Sequence, residues 1–112
     1  MNSSKLVYVA APYSAIPDKT KLMEQISKFC ADYMIEHPGV YLVPGLVHHY
    51  AYLQNNALGD TYEFWQDFCR TMIDRSDMVF VLKYPGWEKS VGVSDEVKYA
   101  ALGNKPVTYF DV

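Results

Sequence analysis

The feature that most constrains the fold is the run Met78-Val79-Phe80-Val81-Leu82, which carries no charge and ends at Lys83-Tyr84-Pro85-Gly86-Trp87. An uncharged run this short, stopped by turn residues, fits a strand buried on both faces, and such strands belong to parallel sheets covered by helices. Ser90 and Gly92 follow, and the spacing then predicts a helix from Val93 to Leu102 with Glu96 one turn inside it. A strand that opens through a Gly/Ser loop into a helix is where α/β proteins bind anions and place catalytic groups. The first amides of the helix have no intrahelical partner, and its dipole favours negative charge. Flanked by Val93, Val97 and Ala100, Glu96 is expected to face the crevice above the strand ends, while the neighbouring Asp95 points about 100° away towards solvent.

The rest of the chain repeats the alternation. Leu6 to Ala11 is a nearly continuous apolar run that stops at Pro12. A helix is predicted from Pro17-Asp18 to about Glu36, with Leu22, Ile26, Phe29, Cys30, Tyr33 and Met34 on one face. His37-Pro38-Gly39 ends it, because a proline disfavours a helical residue before it. Val40-Tyr41-Leu42-Val43 reads as a second strand, broken by Pro44-Gly45. Residues 46–59 are ambiguous between a short helix and a loop. Asp60 is the expected cap of a helix whose face is Tyr62, Trp65, Phe68, Cys69, Met72 and Ile73. Pro106 to Phe110 supplies a fourth strand. Strands alternating with helices imply right-handed crossovers. The expected fold is therefore α/β: one three-layer domain over residues 1–112, with an open parallel sheet in the Rossmann-like, flavodoxin-type order 2-1-3-4. The switch point then lies between strands one and three, where the loops Pro12-Tyr13-Ser14 and 85–92 converge.

Composition narrows the function classes. With 112 residues the chain is one domain long, and a net charge of −3 offers no basic face for duplex nucleic acid. A single nucleotide, needing only a local pocket, stays possible. Cys30 and Cys69 fall on apolar helical positions, as in a reduced, cytosolic protein without disulfides. Met1-Asn2-Ser3-Ser4-Lys5 lacks a leader-like apolar stretch, and no run approaches membrane-spanning length, so no membrane partner is expected. Aromatic residues make up 15% of the chain, enough for a ring-stacking pocket, a subunit interface or simply a tightly packed core.

The pattern Gly86-Trp87-x-x-Ser90-x-Gly92-Val93-x-x-Glu96-Val97-x-x-Ala100, followed by Gly103-Asn104-Lys105-Pro106-Val107, resembles the nucleoside 2-deoxyribosyltransferase-like superfamily. The stretch Val7-Tyr8-Val9-Ala10-Ala11-Pro12-Tyr13-Ser14 is similar to that superfamily's first strand and substrate loop. The resemblance implies that Glu96 is the nucleophile attacking the anomeric carbon of a nucleoside, with Tyr8 hydrogen-bonded near it. It implies substrate contacts from Pro12, Tyr13 and Ser14. It also implies that Ser90, where enzymes acting on free nucleosides carry an acidic residue, holds a 5′-phosphate together with the Gly92 helix start. A helix-capping role for Ser90 is the plainer alternative. The superfamily usually carries an aspartate that helps protonate the leaving base eight residues before the Asp opening the third strand; counted back from Asp77, this chain departs from the pattern with Cys69. Asp67, two residues away on another helical face, is the candidate to take that role, failing which the proton comes from elsewhere.

The chemistry is self-consistent. Breaking an N-glycosidic bond passes through an oxocarbenium-like state that a carboxylate on the sugar face stabilises or captures. Water then gives hydrolysis; a second base gives transfer. His48 is placed to contact the base, unless His48-His49 is only a surface loop pair, and adjacent histidines with no partner at ligand spacing argue against a metal. Trp87 either walls the sugar pocket or packs its loop against the preceding helix. The expected activity is cleavage of a (deoxy)nucleoside 5′-monophosphate without cofactor. Base exchange between nucleosides and a non-catalytic nucleotide-binding protein are the alternatives. The resemblance also implies a homodimer or higher homo-oligomer, for which Tyr50-Ala51-Tyr52-Leu53 and the helix around Trp65 are the candidate contacts.

Overall fold

The computed structural model describes residues 4–13, 16–59 and 61–112. Four strands form one sheet: β1 (Lys5–Ala10), β2 (Val40–Pro44), β3 (Met78–Leu82) and β4 (Val107–Phe110). All neighbours pair in parallel, in the order β2-β1-β3-β4, as the buried runs predicted. The helices are α1 (Lys19–Glu36), α2 (His48–Gln54), α3 (Tyr62–Arg75) and α4 (Val91–Leu102).

Alternation along the strands builds two cores. Val7, Val9, Phe80 and Leu82 point to one side and pack against Leu22, Met23, Ile26 and Cys30 of α1. Tyr8, Ala10, Val79 and Val81 point to the other side, against Cys69 and Ile73 of α3 and Val93 and Ala100 of α4. A fully buried branched side chain such as Ile26 or Ile73 contributes roughly 1.5–3 kcal/mol over an exposed one. The two cysteines are buried, free and on opposite faces of the sheet, which rules out a bond between them.

Local chemistry sets the boundaries. Asp18 caps α1 by accepting from the Lys21 amide at 2.9 Å. Gly39, with φ of +90°, makes the left-handed turn into β2 that a side chain would resist. α3 is capped by Thr61, whose hydroxyl accepts from the Phe64 amide. The cap expected at Asp60 is therefore one residue out, and Asp60 itself lies outside the described residues. α4 starts at Val91, two residues earlier than the sequence predicts, because Ser90 Oγ accepts from the Val93 amide. Asp77 ties the starts of β1 and β3 together: its Oδ2 accepts from the Leu6 amide at 2.8 Å and its own amide donates to Leu6 O at 2.7 Å. The ambiguous stretch after β2 is a 3-10 turn, Gly45–Val47, running straight into α2. No helix among the described residues is long and apolar enough to cross a membrane.

Candidate active site above strands β1 and β3

The carboxyl ends of β1 and β3 open into a cleft of about 660 Å³. Its floor is polar and buried. Tyr8, facing the α3/α4 side of β1, is 1% exposed and lies against the backbone of Gly45, where no side chain would fit. Glu96 of α4 is 5% exposed, and Tyr8, Tyr62 and Cys69 are the polar side chains around its carboxyl. Burial pushes Glu96 up to about 8, an effect the neighbouring Tyr8, Tyr62 and Cys69 only partly offset and the nearby Asp95 charge reinforces. Burial likewise holds Tyr8 well above its ordinary value, with the Glu96 charge adding to it. The Cys69 thiol is pushed up to about 12, again by burial first and Glu96 second. At neutral pH the floor is thus mostly uncharged, with Glu96 the group nearest to ionising.

Beyond Glu96 lies a supporting network. The Tyr62 hydroxyl donates its proton to Asp95 Oδ2 at 2.8 Å. Asp95 in turn takes two bonds from Arg70, Nη2 to Oδ1 at 2.7 Å and Nε to Oδ2 at 3.2 Å. Burial acts to raise the Asp95 carboxyl, but the Arg70 and Tyr62 bonds outweigh it and hold it below its ordinary value. The expectation of a solvated Asp95 is thereby corrected: α4 leans on α3, and Arg70 reaches across.

At the α4 end, Ser90 and Gly92 line the cleft with Lys89. Ser90 serves as the helix cap, yet its hydroxyl proton remains available to an anion. The amides of Val91 and Gly92 precede the first intrahelical bond. Gly92 also has a packing reason to be glycine, since a Cβ there would fall 2.9 Å from Tyr62 Cδ1.

At the opposite end, Pro12, Tyr13, His48 and Trp65 form the wall. His48 and His49 are 6% and 4% exposed, so the surface-loop alternative is overturned: both sit on α2, folded under the cleft. His48 Nδ1 binds Gly45 O at 2.8 Å, and its ring packs on Trp65 with centroids 4.5 Å apart. His49 pairs instead with the Tyr13 hydroxyl at 3.0 Å. Among the described residues no three His, Cys, Asp or Glu side chains converge as a metal site.

Two expected site residues fall elsewhere. Asp67 lies on the exposed face of α3, about 200° round the helix from Cys69, and does not reach the cleft. Trp87 is not in the cleft wall either; it packs on the Tyr109 ring of β4 at 5.5 Å, with the Lys83 ammonium 5.8 Å away. Ser14 is outside the described residues. Conversely, Lys19, Gly45, Tyr62, Glu63, Trp65 and Lys89 line the cleft without having been singled out as site residues from the sequence. Tyr62 and Trp65 did stand out, but as a helical core stripe, and nothing in the pattern showed that the Tyr62 hydroxyl lies beside Glu96.

The fold and this cleft define a Rossmann-like α/β protein with a buried carboxyl at the topological switch point of its sheet. The chain belongs to the family described as Domain of unknown function (DUF1937), whose model matches residues 5–112. No curated protein matches it.

Proposed function

We propose that this protein cleaves the N-glycosidic bond of a (deoxy)nucleoside 5′-monophosphate, with Glu96 as nucleophile. The observation that carries the reading is the position of Glu96. It is a buried carboxyl beside Tyr8, in a cleft lined both by an anion-suited group (Ser90, Lys89 and the α4 amides) and by an aromatic one (Tyr13, His48 and Trp65). In the reaction, ionised Glu96 forms a bond to the anomeric carbon as the C–N bond breaks, and the base departs with a proton. Water then displaces the sugar from Glu96. Tyr8 orients the carboxyl throughout. Glu63, on the cleft wall in the first turn of α3, is the carboxyl available to the base; a thiol pushed up to about 12 at Cys69 is a poor acid. Incubating the protein with a panel of deoxynucleoside monophosphates should release free base, and Glu96→Gln should abolish the release. Added second bases distinguish hydrolysis from transfer.

A second reading, nucleotide binding without turnover, is favoured by Cys69 in place of an acid and by a Glu96 that is mostly protonated at neutral pH. Tight binding without base release on any nucleotide would establish it. Two features extend either reading. Tyr50 and Leu53 on α2 and Phe64 and Phe68 on α3 are 48%, 53%, 52% and 38% exposed, a surface suited to a second copy of this chain. Light scattering on the purified protein tests that homo-oligomer. Two buried free thiols suit a reducing compartment such as the cytosol.

A further inference from the structure

The reading above leaves the base open, and the aromatic end of the cleft narrows it. A carbonyl oxygen only accepts, so the 2.8 Å bond between His48 Nδ1 and Gly45 O requires the proton on Nδ1. Burial keeps the ring neutral by lowering its pKa, partly opposed by the Gly45 bond and aided by the neighbouring His49. Nε2 is then a bare lone pair. No group among the described residues bonds it, yet among those residues no buried side-chain polar atom lacks a partner. Nε2 is therefore accessible, and His48 lines the cleft. Its direction is fixed, because the ring is held between Tyr13, with centroids 4.9 Å apart, and Trp65, at 4.5 Å. The nearby polar tips are already engaged: the Tyr13 hydroxyl with His49, and Trp65 Nε1 with Gly59 O.

We infer that His48 Nε2 is a preset hydrogen-bond acceptor that selects a nucleobase presenting an N–H donor to it; the inference rests on the nucleotide reading above. A base offering only lone pairs there would leave Nε2 desolvated and unpaired, and site groups left unpaired are what discriminate between otherwise similar ligands.

Trp65 fluorescence in a stopped-flow mixing experiment reads binding before any turnover. Three matched pairs of 2′-deoxynucleoside 5′-monophosphates serve as probes: the adenine and cytosine nucleotides against counterparts with hydrogen in place of the amino group, and the uracil nucleotide against its N3-methyl form. Wild type should favour the N–H member of at least one pair by about tenfold or more. His48→Asn keeps a donor for Gly45 O but removes the Nε2 acceptor, and should bring that ratio near one. His48→Gln sets a carbonyl oxygen near the Nε2 position and should keep part of it. Equal binding within all three pairs, or a ratio unchanged in His48→Asn, overturns the role of His48 and leaves the nucleotide reading standing. Absence of binding by every nucleotide overturns that reading, and this inference with it.

Discussion

Gly45 lies directly against the Tyr8 hydroxyl: a Cβ built on this glycine would fall 2.0 Å from the phenol oxygen and 2.5 Å from Cζ. Tyr8 is 1% exposed, with Glu96 and Cys69 as its polar neighbours. The turn after β2 thus presses the hydroxyl into place.

Gly45→Ala should therefore lower stability by about 1–3 kcal/mol, the usual range for overpacking, and reduce base release more than stability alone explains. Tyr8→Phe in the same chain should restore only part of the loss, because Cζ still clashes. Urea denaturation and steady-state rates on the three proteins check this.

The buried position of Glu96 gives opposite pH trends for activity and stability. Its carboxyl must ionise to attack, so kcat/KM should climb with pH and level off above about 8. Between the ordinary glutamate value and about 8, the native state keeps a proton that the unfolded chain has lost. Stability should accordingly fall as pH rises through that window, by at most about 1.4 kcal/mol per pH unit. Glu96→Gln should be inactive, and it should melt higher than wild type at pH 8 but not at pH 4. A variant that melts alike at both would refute the buried, protonated state.

Ser90 separates capping from anion binding. Ser90→Ala removes the bond to the Val93 amide and should cost about 0.5–2 kcal/mol. Ser90→Asp retains a capping oxygen, so the fold should hold. Its charge would repel a phosphate, weakening nucleotide binding far more than nucleoside binding in calorimetry. Equal losses for both ligands would mean that this end of the cleft does not read phosphate.

Asp95 should act on Glu96 at a distance. Its charge raises Glu96, so Asp95→Asn should move the activity profile to lower pH. Arg70→Gln strips Asp95 of its paired cation and should move the profile the other way. Shifts of the same sign in both variants would contradict the arrangement.

The strand limits were legible because buried parallel strands need uncharged runs, and this chain has them at 6–11 and 78–82, while the sheet order followed from the flavodoxin-type arrangement that alternating strands and helices favour. Glu96 was legible for a related reason: the Ser/Gly loop and helix start can be counted from β3. The far wall was not. Residues 46–59 show no strong periodicity, so the sequence leaves His48 and His49 open between a base contact and a surface loop pair, whereas the 3-10 turn at Gly45 folds them inward. Asp67 failed for want of depth. Neighbouring positions on a helix differ by about 100°, and a carboxylate two residues from Cys69 cannot replace it without turning the helix.

Tyr8, Gly45, Cys69 and Glu96 come from β1, the turn after β2, α3 and α4. The parallel topology brings these four pieces together only after long stretches of chain have crossed over, so their mutual contacts are among the most non-local in the molecule. A cluster assembled this way has no partially ordered precursor of its own. Amide exchange near Tyr8 and Glu96 should be governed by whole-molecule opening rather than by fraying of any single helix. Competence of the cleft and integrity of the sheet should then be lost together, in one transition.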